Sequence, residues 1–384
     1  MNRFEYLLAT LVLRILRRTF FRLRIRRDRV VFASARHAKL EGNLRYVYSA
    51  MRRRHPNLHY VLLLEPYGYR FGSKLIYLLR MGRAMYYLCT SRLFVVDNAY
   101  LPIHVGPHRA ETTVVQVWHA AGSLKCFGID APSWQGPTER RFLHRHYDYV
   151  IVAGEAGRPA YASALRTPID RVLPLGSPRT DFFFDRDAMT AARSRLLDAH
   201  PSLAGKRVVL YAPTFRGRGT TKRAAPAFDA TRMRSLLPDD HVLVLKTHPN
   251  LDPHATPTGG YDVVIDPAAD INEIFTVADV LVTDYSSSIF EWALLRRPLI
   301  LLVPDLTRYE SDPGLYLDYR TEMIGTQVTD TDAVADAVMD GTFDASGYAS
   351  FVKRHLGASD GAASARFVER FAASDTLPPD VSHE

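Results

Sequence analysis

Cysteine is nearly absent from this chain: Cys89 and Cys126 are the two among 384 residues, and neither lies in a CxxC or Cys/His cluster. That usage argues against a disulfide framework and a structural zinc site, and it suits a reducing compartment. The chain has no GxGxxG, no GxxxxGK[ST] and no HExxH, which removes the dinucleotide fingerprint, the P-loop and the zincin helix. Its acidic pairs mark no metal site, so neither metal nor cofactor is expected. Low-complexity tracts and repeats of 20–50 residues are also missing, which excludes disorder and solenoids. Long apolar runs are absent too. The stretch Tyr6–Leu13 falls well short of the roughly 20 residues that span a bilayer.

Positive charge is scarce outside one segment. Residues 1–29 hold nine arginines against Glu5 and Asp28, which accounts for seven of the chain's eight net positive charges. A nucleic-acid binder spreads basic residues over a folded face, so no nucleic-acid partner is expected. On a helical wheel Leu8, Val12, Ile15, Leu16, Phe20 and Leu23 share one arc, with Arg14, Arg17, Arg18 and Arg22 across from it; Leu7 and Leu11 fall on the polar side. The arginines follow the apolar run, which is the wrong order for a signal peptide. Residues 1–28 therefore read as a basic amphipathic helix lying on an anionic membrane surface, the alternative being a solvated helix packed on the body.

Beyond Arg29 the chain is of ordinary globular character, 47% hydrophobic and 23% charged over its full length, and long enough for two cores. Strand patterns fall at Val30–Ser34, His59–Leu64, Leu93–Asp97, Thr113–Trp118, Tyr149–Ala153 and Val172–Leu175. A second series falls at Val208–Ala212, Val242–Lys246, Val263–Ile265, Val280–Thr283 and Leu299–Val303. Helical patterns alternate with them, and Ser177–Gly205 joins the two series. Such alternation predicts an α/β protein of two tandem Rossmann-like domains facing across a cleft. The divisions are 1–28, 29–190, 191–345 and a C-terminal stretch of helices and tail at 346–384.

Four motifs stand at carboxyl ends of predicted strands, where ligands bind in such sheets. Val280–Trp292 reads VLVTDYSSSIFEW. Its hydroxyl-rich turn, Tyr285, Ser286, Ser287 and Ser288, suits an anion such as a diphosphate, or simply caps a helix. Asp284 suits orienting those serines or a donor hydroxyl. In LVLKTHPN, Lys246 is a point charge for phosphate, and His248 suits donation to a leaving phosphate oxygen or a structural role. In VLYAPTFR, Thr214 and Arg216 follow a strand, and Arg216 suits a bidentate grip on phosphate or plain solvation. In QVWHAAGSLKCFGID, His119 suits a general base for an acceptor hydroxyl, or a histidine bonded under a glycine turn. Lys125 nearby suits acceptor phosphate.

Together with EGNLRYVY, VVDNAYLP, LGSPRTDFFF and GLYLDY, these motifs resemble the CDP-glycerol:poly(glycerophosphate) glycerophosphotransferase family over roughly residues 30–345. The resemblance implies a GT-B-like fold with an N-terminal acceptor domain and a C-terminal donor domain. It implies transfer of a phospho-alditol from CDP-glycerol or CDP-ribitol to a lipid-linked acceptor, with release of CMP. It makes His119 the base and His248 a stabiliser of donor phosphate. Thr214, Arg216, Lys246, Ser286 and Ser287 are then diphosphate contacts. Glu291 and Asp305 become candidates for alditol or ribose hydroxyls, and Asn43 an acceptor candidate. The family's usual glycine after the first histidine is Ala120 here, and a frequent lysine is Cys126. The implied location is the cytoplasmic face of the membrane, held peripherally. The rival readings are a nucleotide-sugar glycosyltransferase of the same fold and a non-catalytic membrane-binding module.

Overall fold

The computed structural model describes residues 3–66, 71–131, 137–214, 216, 228–247 and 258–372. Two six-stranded sheets organise the chain, and every pairing is parallel. The first holds β1 (Arg26–Ser34), β2 (His59–Leu64), β3 (Ser91–Val96), β4 (Thr113–Gln116), β5 (Tyr149–Ile151) and β6 (Val172–Leu173), in the order β2-β1-β3-β4-β5-β6. The second holds β7 (Arg207–Tyr211), β8 (His241–Lys246), β9 (Val263–Ile265), β10 (Val280–Thr283), β11 (Leu299–Leu302) and β12 (Thr326–Val328), in the order β12-β11-β10-β7-β8-β9.

Both orders reverse direction once, between β1 and β3 in the first sheet and between β7 and β10 in the second. At such a reversal the flanking connections leave to opposite faces, and a crevice opens beyond the strands' carboxyl ends. The strands are Val- and Leu-rich because both faces are covered. In β1, Val31 and Ala33 enter one core while Val30 and Phe32 enter the other. Alternate side chains leave a strand on opposite faces, so two helical layers are needed to bury them.

The first core takes in helices α1 (Arg3–Phe20) and α3 (Phe71–Thr90), and the opposite one takes in α2 (Gly42–Arg54). The C-terminal helix Ala363–Ala372 joins that second layer through Phe367 and Val368, packed with Phe32 and Val47. By contact density, one compact unit comprises the described residues of Met1–Ala120, Phe127–Asp181 and Gly357–Glu384. The other comprises those of Ala121–Cys126 and Phe182–Leu356.

Several elements escape the sequence patterns, among them helix Arg186–Ala199, which lies where the pattern suggests only a linker, and β12, a three-residue edge strand. The wheel reading of α1 also needs correcting. Tyr6, Ala9 and Leu13 are buried, and Leu16 and Phe20 pack beside them. Phe4, Leu7, Leu8, Leu11 and Ile15 stay exposed. The helix thus has two apolar faces, one docked on the body and one open. Arg14 and Arg17 do not oppose a membrane: Arg14 Nε donates to the Val105 carbonyl at 3.0 Å, and Arg17 donates to that of Pro107.

Candidate functional site

At the switch point of the second sheet, residues after β7, β10 and β11 form one connected network. Asp284 follows β10 and is 3% exposed. Its carboxylate accepts from the Thr214 backbone N–H at 2.8 Å, the Thr214 hydroxyl at 3.0 Å and Arg216 Nη1 at 2.7 Å. Arg216 also grips Asp305 with Nε and Nη2, at 2.8 and 3.1 Å. Burial opposes the Arg216 charge, but Asp284 and Asp305 outweigh it and hold the guanidinium firmly protonated. Asp305 is likewise lifted by burial, and Arg216 overrides this to keep it below the usual carboxylate range.

Aromatic rings complete the network. Tyr285 donates to Asp305 at 3.0 Å and stacks on Tyr309 with ring centroids 3.7 Å apart. Tyr319 donates to the Asp284 carbonyl at 2.5 Å. The Arg216 guanidinium lies over both stacked rings, and Lys125 Nζ stands 5.5 Å from the Tyr309 centroid. Residues 124–126 reach this place by pairing with 314–316: the Cys126 N–H donates to Gly314 O, and the Tyr316 N–H to Leu124 O.

The serine turn follows directly. Ser286 and Ser288 hydroxyls share a hydrogen bond of 2.7 Å, and the Ser288 N–H donates to Ser286 Oγ. Ser287 stands at the N-cap position of the six-residue helix Ser288–Ala293 without a side-chain capping bond. Glu291 is fully buried in that helix. Lys246, at the end of β8, donates to the Pro267 carbonyl at 2.7 Å and the Thr247 carbonyl at 3.0 Å. Burial pulls its ammonium down to about 8, against the charges of Asp270 and Asp266. His248 lies outside the described residues.

A separate constellation sits at the carboxyl ends of β1, β3 and β4. His119 Nδ1 is 3.1 Å from the Asp97 backbone carbonyl. A carbonyl only accepts, so Nδ1 carries the proton and Nε2 keeps its lone pair. Burial holds this imidazole well below its ordinary value, helped by the charges of Arg36, Arg179 and His37 and opposed by the Asp97 bond. The ring packs on Trp118 at a tilt of 31°, centroids 4.4 Å apart, and Trp118 itself has φ +49°. A bulky residue in that left-handed region carries local strain, a feature that clusters at functional sites.

Asn43 holds this turn in place. Its Nδ2 donates to the Val117 and Trp118 carbonyls at 2.8 and 3.0 Å. Its Oδ1 accepts from the Ser177 hydroxyl and the Arg179 N–H. Arg179 Nη1 in turn donates to the His119 carbonyl at 3.2 Å. With its amide committed on both sides and 2% exposed, Asn43 is geometrically a brace for His119.

Sequence reasoning missed Arg36, Asp97, Arg179 and the three tyrosines. Asp97 closes one predicted strand and Arg36 stands two residues past another, close to the signal that singled out His119 and Asp284. Tyr309 meets the site only through the fold, and nothing local marks it, while Tyr319 closes the GLYLDY motif without a signal of its own. Among the described residues no group of three or more His, Cys, Asp or Glu is placed to hold a metal ion.

Comparison with known proteins agrees with this architecture. The family model described as CDP-Glycerol:Poly(glycerophosphate) glycerophosphotransferase matches residues 15–372. A teichoic acid ribitol-phosphate primase of Bacillus spizizenii is 33% identical over 90% of this chain and 91% of its own length. A teichoic acid poly(ribitol-phosphate) polymerase of the same organism is 33% identical over 96% of this chain, which spans 60% of that longer protein. The solved structure of the wall teichoic acid polymerase TagF superposes with a TM-score of 0.74 at 22% identity, covering 95% of this chain and 96% of that one. The chain is a transferase with a GT-B-like pair of parallel sheets, and it belongs to the CDP-glycerol:poly(glycerophosphate) glycerophosphotransferase family.

Proposed function

We propose that this protein moves a phospho-alditol from a CDP-activated donor onto a hydroxyl of a lipid-linked acceptor, releasing CMP, in the synthesis of a teichoic acid or related surface polymer. The observation that carries the reading is the state of His119, neutral and with its lone pair on Nε2. In the reaction the acceptor hydroxyl gives its proton to that nitrogen. Its oxygen bonds to the donor's outer phosphorus, and the bond to CMP breaks with its electron pair on the CMP oxygen. Such a transition state is loose and charge-rich, so positioning and positive charge matter more than covalent chemistry.

In this reading the unit carrying His119 is the acceptor domain, and the unit carrying Asp284 is the donor domain. Ser286, Ser287, Ser288 and Thr214 offer hydroxyl and backbone donors to the diphosphate, with Lys246 supplying charge. Arg216 and Asp284, tied to Thr214 and to each other, are the further donor-side candidates, and Lys125 and Asn43 are the acceptor candidates. His248 stabilises the leaving phosphate. Asp305 and Glu291 are the candidates for alditol or ribose hydroxyls, Asp305 being the one with solvent access.

The membrane reading rests on the open face of α1. Phe4, Leu7, Leu8, Leu11 and Ile15 would enter the headgroup boundary, with Arg18, Arg22 and Arg24 exposed toward anionic lipid. Among the described residues no helix is long and apolar enough to cross a membrane. The proposed location is peripheral, at the cytoplasmic face of the membrane.

The test is CMP release from CDP-ribitol and from CDP-glycerol with a polyprenyl-diphosphate-disaccharide acceptor analogue, alongside UDP-sugar controls. Both relatives compared are named for ribitol phosphate, so CDP-ribitol is the first donor to try. Acceptor-dependent CMP release supports the proposal. Turnover of a UDP-sugar with silence from both CDP-alditols overturns it.

A further inference from the structure

The network of Asp284 and Arg216 occupies the carboxyl end of the second sheet. A cavity of about 690 Å³ opens at the other end, where β11 and β12 begin at Leu299 and Thr326. Open α/β sheets take their substrates beyond the carboxyl ends, so this amino-end hollow is no part of that crevice. It lies within one compact unit, walled by the strand starts, helix Tyr319–Glu322 and helix Ala345–Leu356.

The floor is apolar, with Leu299, Met323 and Phe351 buried in it. Two neutral polar side chains interrupt it. His355 is 5% exposed, and among the described residues no hydrogen bond reaches its ring. Burial and the Arg354 charge pull the imidazole down to about 4, against Glu322. It is therefore neutral near pH 7 and offers one donor and one acceptor. Tyr348 is 2% exposed, and its hydroxyl stands by the Leu299 backbone without a well-formed hydrogen bond. A buried polar group left without a partner costs free energy, so two such groups lining one cavity call for a ligand that completes them.

Charge narrows the class of that ligand. The three ionic groups of the rim are already used. Arg354 is paired with Glu322 at 2.7 Å, and Asp344 accepts from the Ser346 N–H, the Ser346 hydroxyl and the Gly347 N–H. Little charge is left to hold an anion or a cation. What remains is an apolar wall, two neutral groups that both give and take hydrogen bonds, and the exposed hydroxyls of Thr326 and Ser350. A pyranose has the matching surface, an apolar C–H face with hydroxyls around its edge, and the volume is that of small-ligand pockets.

We propose that this cavity is a second ligand site, for an uncharged sugar ring set against Phe351 and hydrogen-bonded by Tyr348 and His355. It stands independently of the transfer reading and shares no residue with it.

The experiment titrates the full chain with methyl α-glucoside, methyl α-mannoside, N-acetylglucosamine and N-acetylgalactosamine. Ribitol, CMP and inorganic phosphate serve as controls. Binding is followed by calorimetry and by the ring-nitrogen resonances of protein labelled at histidine. At least one sugar should saturate the chain and shift the His355 signals. Tyr348→Phe keeps the ring and should weaken that sugar roughly three- to tenfold, the scale of one neutral hydrogen bond. Ser350→Trp, at an exposed position on the rim, should block the cavity and abolish the shift, with Tm within about 2 °C of native. The proposal falls if no sugar of the panel saturates the native chain, or if Ser350→Trp binds it as the native chain does. A stronger response of His355 to phosphate, CMP or ribitol overturns the assignment to a neutral ring. Failure of the transfer reading has a separate signature, because sugar binding is read without CMP release.

Discussion

The carboxyl ends of the two sheets solve opposite electrostatic problems. In the second sheet Arg216 is spent within the protein: two carboxylates, one of them gripped bidentately, neutralise it, and stacked tyrosines cover it. In the first sheet Arg36 has no such partner among the described residues, and the imidazole nearby is kept neutral. The second sheet's arrangement is a prebuilt scaffold, whereas in the first the guanidinium is left exposed and feels Asp97 and Glu41 through their charge alone. The same residue type at the same topological place therefore predicts different consequences on mutation. Removing Arg216 should be felt in folding, and removing Arg36 should leave folding nearly untouched.

The largest effect in either region should come from His119→Ala. A positioned base contributes roughly 10²–10⁴-fold, so acceptor-dependent CMP release should fall by that factor. Donor affinity, followed by calorimetry, should stay within about threefold, because a base acts in the transition state. The sign of the pH dependence follows from the depressed imidazole. Activity should be lost as acid protonates Nε2, at a pH below the ordinary histidine midpoint of about 6.5. A variant retaining more than about a tenth of native turnover removes His119 from the role.

Next comes the stability contrast. Arg216→Met strands Asp284, 3% exposed, beside Asp305 without a cation. Breaking a buried pair from one side costs about 3 kcal/mol or more, which should lower Tm by several degrees in a unit of this size. Arg36→Gln should stay within about 0.5 kcal/mol of native, as exposed substitutions do. Equal losses in thermal melts would dissolve the distinction between the two regions.

The same contrast explains what the sequence made legible. Both sheets were readable because their strands are short runs of Val, Leu and Ile bounded by helical periodicity, and parallel sheets buried on both faces demand that pattern. His119, Asp284 and Thr214 were readable as polar residues directly following such runs. Arg36 and Asp97 come close to the same rule, but recognising them requires knowing that β1 and β3 are neighbours and that the order reverses there, which local pattern does not encode. Tyr309 reaches Tyr285 from a helix twenty-four residues further along, and only packing brings it there. The docked face of α1 was misread for a related reason. A wheel counts apolar residues but cannot tell a face buried against protein from one left open.

A smaller effect tests the buried Asp97 carboxyl near His119. The Asp97 carboxyl titrates near 6 in the fold against about 3.9 unfolded. A raised carboxyl binds its proton more tightly when folded, so its contribution favours the fold below pH 4 and is lost as pH rises toward 6. Asp97→Asn cannot ionise and should escape that loss. Relative to native, the variant should therefore gain stability between pH 4 and 7, by up to ~3 kcal/mol from a two-unit shift. Urea midpoints at pH 4.5 and 7.5 measure it, and a constant difference between the two proteins would mean that Asp97 keeps its charge at little cost.

The smallest effect on the folded protein, and the cleanest on location, belongs to α1. Removing the whole helix is a poor test, because Leu13 is fully buried and Arg14 ties the helix to Val105. Deletion would open the first core and confuse unfolding with release from lipid. The two faces offer a sharper comparison. Leu11 is 56% exposed and Leu8 is 48%, so Leu8→Glu with Leu11→Glu alters the open face alone. Tm should move by less than about 2 °C, since neither side chain is buried on folding. Binding to anionic liposomes should weaken by about tenfold or more, because each leucine withdrawn from the interface forfeits apolar burial and each glutamate meets negative headgroups. Leu13→Ala, on the docked face, should do the reverse, lowering Tm by a cavity cost of about 2–5 kcal/mol while the folded protein still binds liposomes. If both variants bind as the native chain does, the lipid contact lies elsewhere, and α1 is simply a helix of the first core with a greasy outer face.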